Sequence, residues 1–191
     1  MLRTALIALA LVLSAAAAAR ADAPPAQIPA GEYVLDPRRA SLVVRVPLFG
    51  GLSRYALRFG RLSGAFAYDP ADTAAANVSI TADPRAIEAG DAQFSRLVIS
   101  QFEPERYPAI RFTATGVMVK PGGRGRLPGQ LYLHGVTRPL TLDLKLEAVR
   151  GDRVRFSGSG RVRRSQFGMS ASRPFAGDVV DLLFDVEFAR R

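Results

Sequence analysis

The chain has 191 residues, enough for one domain with a substantial core, and its net charge is +9, from 26 basic and 17 acidic residues. It contains no cysteine and a single histidine, so disulfides and thiol nucleophiles are excluded, and the cysteine and histidine ligands typical of zinc and iron sites are lacking apart from that one histidine. The arginines are scattered along the chain instead of forming a basic stripe or a recognition helix, which argues against nucleic-acid binding. The charge is better explained by a solvated outer face or, as the alternative, by attraction to an anionic membrane surface.

The first 23 residues have the pattern of a secretory signal peptide. Arg3 supplies a positive charge, residues 5–13 form a short apolar run, and a tract of small residues follows. The apolar run is short for a membrane span, and an uncleaved anchor is the alternative. We therefore expect a protein exported to the periplasm, with a leader at residues 24–31 and a folded domain at residues 32–189.

Beyond the leader, apolar and polar residues alternate with a period of two, which predicts β-strands that have one buried face. Clear examples are residues 41–46, 77–83 and 180–188. At Gly60 the alternation changes phase, which predicts a bulge or a sharp bend. We expect about eight or nine strands in all.

The most regular pattern is a hairpin around Gly135. Leucines alternate with polar residues on both sides of the turn, at Leu131, Leu133, Leu140, Leu142, Leu144 and Leu146. One face of the hairpin is therefore apolar and the other polar, which predicts antiparallel strands in a sheet that closes around an apolar interior.

Residues 84–108 interrupt the strands. Phe94, Leu97 and Val98 recur at helical spacing, which predicts one short helix packed on the sheet or across an opening, with a movable lid as the alternative. The predicted fold class is all-β, an antiparallel barrel or sandwich with one short helix. Long helices do not alternate with the strands, which excludes a doubly wound fold.

A barrel of about eight strands either fills its interior with side chains or holds one small ligand. Gly64, Ala114, Gly158 and Gly160 would leave space if they face inward. The candidate cavity wall consists of large apolar residues on the predicted inner faces: Phe66, Phe112, Leu131, Leu133, Leu142, Leu144, Phe156 and Phe184. For each of them a dry core is the alternative, because cores and pockets use the same residue types.

Two polar residues are candidates for the cavity mouth. His134 lies in the hairpin turn, where it either holds the turn or contacts a ligand head group. Arg164 either pairs with Asp178 or Asp181 or offers its guanidinium to a ligand oxygen. No catalytic residue is assigned, because one histidine without a nucleophile-bearing turn cannot build a catalytic triad.

Several short motifs follow one another in a characteristic order. The most specific are Leu133-His-Gly-Val-Thr-Arg-Pro139 and Arg164-Ser-Gln-Phe-Gly168. Weaker ones are Glu32–Pro37, Gly64–Phe66 with Asp69-Pro70, Phe102 with Tyr107–Phe112, and Gly177–Val180. In this order and at these distances, from about Glu32 to Phe188, they resemble the YceI-like family of exported lipid-binding proteins.

The resemblance implies a lipocalin-like barrel around a long apolar cavity, located in the periplasm or secreted, and not an enzyme. It implies a long-chain polyisoprenoid, a quinone-like lipid or a related amphiphile as the ligand, and no other cofactor. Two alternatives stay open: a filled barrel that serves as an interaction module, and a lipid-modifying enzyme. A monomer and a dimer are both compatible with the sequence.

The sequence departs from the family pattern at polar positions. The family often has a His-Ser pair near the first strand and a further histidine at its end, where this chain has Ala40-Ser41 and Pro47. An acidic residue and a His-Leu pair are replaced around Phe94–Leu97. If those positions hold a head group in the family, this chain is expected to prefer another head group or to hold it loosely.

Overall fold

The computed structural model describes residues 27–119, 122–172 and 174–191. The signal peptide predicted at 1–23 and the first part of the predicted leader lie outside these ranges. In chain order the strands are β1 (Gly31–Leu48), β2 (Ser53–Phe59), β3 (Leu62–Tyr68), β4 (Asn77–Ala82), β5 (Ile87–Glu88), β6 (Ile110–Thr115), β7 (Met118–Val119), β8 (Arg124–Leu133), β9 (Val136–Arg150), β10 (Arg153–Arg163) and β11 (Val179–Arg190). The α-helix, α1, is Ala92–Ser100, and no helix within the described ranges has both the length and the apolar character to cross a bilayer.

The strands form a closed antiparallel barrel. Neighbouring strands follow the order β11-β10-β9-β8-β6-β4-β3-β1, and β1 also pairs with β11, which closes the sheet. β3 pairs with residues 31–34 of β1, and β2 continues the same line by pairing with residues 43–48. Eight strand positions therefore surround the axis, as the sequence predicted.

Two bends shape the wall. β1 begins ten residues before the strand predicted at residues 41–46, and its register against β11 shifts between Leu35 and Ala40. Pro37 lies in this irregular stretch. Proline has no backbone N–H group, and here its absence removes no hydrogen bond between β1 and β11. The bend expected at Gly60 separates β2 from β3, and the Gly60 N–H donates to the Ala86 carbonyl at 2.7 Å.

The two ends of the barrel differ in their connections. One end, called the helix end below, carries α1, the β1–β2 connection at residues 49–52 and the β10–β11 connection at residues 164–178. The opposite end carries the start of β1 and the turn at residues 151–152 between β9 and β10.

α1 begins at a side-chain cap, since the Phe94 N–H donates to Asp91 Oδ1 at 2.9 Å. The predicted apolar face is only partly buried. Val98 is buried, whereas Leu97 is 57% exposed and Phe94 38% exposed. Residues 97 and 98 are about 100° apart around a helix axis, so a short helix lying across a barrel end buries one and exposes the other. The helix is where the sequence predicted it, and Leu97 lies on its exposed side.

An aromatic cluster narrows the interior toward the opposite end. The rings of Tyr33 and Phe66 stack with centroids 4.5 Å apart, and the Phe188 ring meets Phe66 edge-on at 4.9 Å. Phe156 extends the cluster at 5.9 Å from Phe66. The Tyr33 hydroxyl donates to the Pro29 carbonyl at 2.8 Å, which ties the chain entering β1 to this cluster.

Gly158 and Gly160 face inward, but they do not leave the empty space that the sequence suggested. A Cβ atom at Gly158 would collide with the Phe184 ring and with the Asp143 carbonyl, and one at Gly160 would lie 2.6 Å from Leu142 Cδ2. Side chains of neighbouring strands therefore occupy the space over both glycines. At Gly158 this side chain is Phe184, which the strand pairing aligns with it.

We expect Gly158→Ala to destabilise the barrel by about 1–3 kcal/mol, because the added methyl must displace the Phe184 ring and a ladder carbonyl. The free energy of unfolding in urea measures the effect. Ser159→Ala, on the adjacent position of β10, is the matched control and should cost much less. Equal stability of the Gly158 and Ser159 variants would contradict this packing.

The outer face of the barrel carries ion pairs between neighbouring strands. Arg155 donates from Nε and Nη2 to the two carboxylate oxygens of Asp185, at 2.7 and 2.6 Å. These hydrogen bonds hold the pKa of Asp185 below its ordinary value of 3.8, although partial burial opposes the shift. Arg153 lowers the pKa of Asp36 in the same way and also binds Glu187 at 2.8 Å.

These lowered pKa values predict an acid-sensitive fold. A carboxyl group whose pKa is lower in the folded state stabilises the fold above its unfolded pKa, and this contribution is lost as the pH falls through the folded pKa. The urea midpoint should therefore be flat from about pH 7 to about pH 5 and fall below about pH 4. In the Asp185→Asn variant the urea midpoint should fall less at low pH than in the parent chain. In the control, Asp152→Asn at an exposed turn, it should fall as much as in the parent chain. A parental fall in the Asp185 variant would contradict the assignment.

Candidate functional site

A cavity runs through the barrel from one end to the other. Its volume is about 530 Å³, and its wall includes Phe102 and Phe175 at the helix end and Ile28 and Val117 at the opposite end. A volume in this range is typical of a small-molecule pocket. The interior is therefore hollow along its length, although the aromatic cluster narrows the space toward the opposite end.

The structure places all eight predicted wall residues on the cavity: Phe66, Phe112, Leu131, Leu133, Leu142, Leu144, Phe156 and Phe184. Their contact with a ligand stays a prediction. The leucines of β9 illustrate the geometry, because Leu142 and Leu144 point inward and yet are only partly buried. Their remaining accessible surface faces the cavity, since both belong to its wall.

Four further wall residues at the helix end were not predicted from the sequence. Phe94 and Val98 of α1 and Met169 and Phe175 of the β10–β11 connection all border the cavity. The helical spacing of Phe94 and Val98 was the one signal in the sequence that could have placed these two residues on the wall. Met169 and Phe175 belong to no periodic pattern in the sequence, and only their packing over the barrel opening brings them to the wall.

Polar side chains are few on the wall, and apart from Tyr68, toward the opposite end, they lie at the helix end. Gln101, Arg164 and Ser172 border the cavity there, together with Tyr55. The Tyr55 hydroxyl donates to the Ala89 carbonyl, and burial raises the pKa of this phenol. Among the described wall residues none carries a carboxylate or an imidazole. The arrangement therefore suits an apolar chain with a polar group at the helix end.

Arg164 organises the β10–β11 connection. Its guanidinium donates to the carbonyls of Ala171, Ala176 and Gly177, each at 2.8 Å. The nearby Asp178 carboxylate accepts from the N–H and the hydroxyl of Ser165, at 2.9 and 2.8 Å. Arg164 thus both borders the cavity and shapes the backbone around its opening, and a contact with a ligand oxygen remains a prediction.

His134 does not line the described cavity wall, although its turn lies at the helix end directly after the wall residue Leu133, and its place at the mouth stays a prediction. His134 and Gly135 both have positive φ, at 50° and 78°, as in a two-residue hairpin turn between β8 and β9. The imidazole Nδ1 lies 3.1 Å from the Phe167 carbonyl, and Nε2 lies 3.0 Å from Glu103 Oε1. Tyr107 packs against the ring at 4.7 Å. His134 therefore joins three separate segments, a structural role that agrees with the first of its two predicted roles, holding the turn.

We expect His134→Ala to lower the free energy of unfolding by about 1–3 kcal/mol, because it removes both hydrogen bonds from a largely buried ring. Arg138→Ala, at an exposed position of β9, is the control and should change stability by less than about 0.5 kcal/mol. Urea denaturation measures both variants. A His134 variant as stable as the control would show that the three segments hold together without the imidazole.

The chain is similar to proteins of known sequence and structure over most of its length. A UPF0312 protein of Vibrio cholerae is 28% identical over 166 residues, which cover 83% of this chain and 87% of that protein. The crystal structure of BcnA from Burkholderia cenocepacia superposes with a TM-score of 0.73 at 19% identity, covering 80% of this chain and 98% of that one. A polyisoprenoid binding domain from Saccharophagus degradans superposes with a TM-score of 0.69 at 16% identity, covering 83% of this chain and 98% of that one.

The two solved structures establish the shared barrel fold. The family model of the YceI-like domain matches residues 33–188, which include α1 and nearly all of every strand of the barrel wall. The barrel, its hollow interior and this match agree with the motifs found in the sequence, and the chain belongs to the YceI-like family.

Proposed function

We propose that the protein binds a long-chain polyisoprenoid, or an amphiphile of similar shape, inside the barrel and carries or stores it. The observation that supports this most directly is the cavity of about 530 Å³, whose wall is apolar along the whole barrel. Family membership supports the same proposal, as does the barrel shared with a solved polyisoprenoid binding domain.

The wall chemistry accounts for affinity without many specific contacts. Burying apolar surface contributes about 25 cal/mol per Å², or about 0.8 kcal/mol for each CH₂ group removed from water. Selectivity would then come from chain length and branching, and from a few polar groups at one end. Gln101, Arg164 and Ser172 are those groups, so the head group is expected at the helix end and the tail toward Tyr33 and Phe66.

The two alternatives fit the cavity less well. A filled barrel that serves only as an interaction module requires a solid interior, which a cavity of about 530 Å³ does not provide. A lipid-modifying enzyme requires a perturbed acid or base in the cavity. The described wall offers tyrosines and Arg164 as its ionisable groups, and these are better suited to holding a ligand than to acid-base catalysis near neutral pH.

The pattern of the first 23 residues supports export to the periplasm, where such a carrier would move lipid between membranes. The test is native mass spectrometry of the full chain expressed with its own signal sequence and purified from the periplasm, followed by lipid extraction. We expect a bound species that yields an isoprenoid or quinone-like lipid on extraction. Recovery of ligand-free protein that also fails to take up added polyisoprenoid would overturn the proposal.

A further inference from the structure

The large apolar side chains that are exposed in the described part of the chain all lie at the helix end. The β1–β2 connection contributes Phe49 (58% exposed) and Leu52 (92%), and α1 contributes Leu97 (57%) and, less exposed, Phe94. The remaining two are Phe175 (63% exposed) and Val179. Three separate connections thus expose large apolar side chains at the same end of the barrel. Single exposed apolar residues are common on protein surfaces, but their concentration at one end is not.

Two of these connections, β1–β2 and β10–β11, contact each other, and we call the group of exposed apolar side chains at this end the platform. The Phe49 N–H donates to the Phe175 carbonyl at 2.8 Å, and the two rings meet edge-on at 6.2 Å. Phe49 has a φ of 51°, an uncommon conformation for a bulky residue. Backbone strain of this kind concentrates at functional sites, and here it holds an apolar ring out toward solvent.

The platform surrounds the opening of the cavity. Phe94 and Phe175 are exposed and also belong to the cavity wall, so they mark the boundary between the interior and the outside. Leu52 and Leu97 do not line the cavity. Their exposure therefore serves neither the core nor the interior site.

Basic groups accompany the apolar tips. Arg54, at the start of β2, and Arg96, in α1, are both exposed, and neither has a carboxylate partner among the described residues. The carboxylates at this end have partners of their own: Asp91 caps α1, Glu103 contacts His134 and Asp181 pairs with Arg161. Apolar and aromatic side chains bordered by arginine are suited to an interface of acyl chains and anionic head groups.

We propose that the helix end docks onto the surface of an anionic phospholipid bilayer, with Leu52 and Leu97 inserted at the interface and Arg54 and Arg96 on the head groups. This orientation sets the cavity opening against the membrane. A long apolar chain could then move between the bilayer and the barrel directly. Passage through water would instead expose every CH₂ group of the chain. The docking inference stands on the surface residues, and only its purpose rests on the proposed function.

The test is flotation of the mature protein with vesicles of phosphatidylglycerol and phosphatidylethanolamine, compared with vesicles of phosphatidylcholine. We expect binding to the anionic vesicles and weaker binding to the zwitterionic ones. Leu52→Ser with Leu97→Ser should weaken binding by about tenfold or more on both kinds of vesicle. Arg54→Ser with Arg96→Ser should weaken binding by about tenfold on the anionic vesicles only.

The matched control is Arg124→Ser with Arg150→Ser, which removes the same charge from exposed positions toward the opposite end and should leave vesicle binding nearly unchanged. The docking inference would be overturned if the Leu52 and Leu97 variant bound vesicles as strongly as the parent chain does, or if the parent chain did not bind vesicles at all. A dimer that forms through the helix end and is lost in that variant would overturn it as well. Loss of vesicle binding with normal uptake of an apolar probe would separate docking from the cavity. Normal docking without ligand uptake would overturn the proposed function alone.

Discussion

Replacing both Leu142 and Leu144 by tryptophan is expected to weaken the binding of an apolar fluorescent probe by about 100-fold, while the barrel remains folded. Both leucines face the cavity from β9 and border its free volume. Two indole rings would occupy part of the space that the ligand needs. A loss of roughly 110 Å² of buried ligand surface, at about 25 cal/mol per Å², corresponds to this factor.

The control uses the same strand and the same substitutions on its other face. Asp143 and Lys145 point outward, so Asp143→Trp with Lys145→Trp should bind the probe like the parent chain. Circular dichroism establishes that both double variants are folded, and titration with a fluorescent fatty acid measures binding. Unchanged probe binding by the inward-facing variant would show that the ligand does not use this cavity, and the proposed function would fail with it.

Phe66→Ala is expected to lower the free energy of unfolding by about 3–5 kcal/mol. The ring is 8% exposed and contacts Tyr33, Phe156 and Phe188, with the closest centroids 4.5 and 4.9 Å apart. Its removal would join an additional void to the cavity and would leave the Tyr33 ring without its stacking partner. Cavity-forming substitutions at such sites are among the most destabilising single changes.

Phe175→Ala is the matched control for this substitution, because it removes the same side chain from a position that is 63% exposed. Its effect on stability should stay within about 0.5 kcal/mol. Urea denaturation of the three proteins measures the difference. Similar losses for Phe66 and Phe175 would contradict the view that the aromatic cluster at the opposite end is the main packed core of the barrel.

The cavity wall was predictable on the strands because a period of two assigns each side chain to one face. Leu142, Leu144 and Phe156 could be placed from alternation alone, and the structure places them on the wall. The space at Gly158 could not be predicted in the same way. Whether it is empty depends on which residue the neighbouring strand places opposite, and that residue is Phe184.

His134 shows a second limit of sequence reasoning. Its position in a turn beside the inward-facing Leu133 suggested the cavity mouth. Its actual partners are Glu103 and Phe167, which are remote in sequence and approach it only when the barrel has closed. The direction of a turn side chain depends on such packing, which no local pattern encodes.

By itself, the amino-acid sequence determined the strand faces, the bend at Gly60, the short helix α1 and the family, because these follow from local alternation, turn residues and motifs read along the chain. Only the tertiary structure decided how much of the interior stays hollow and which apolar residues meet at the helix end. Both depend on strand register and on contacts between distant segments, such as those that bring Phe49 to Phe175. The physical reason is that alternation specifies which way a side chain points, whereas the space in front of it is set by other parts of the chain.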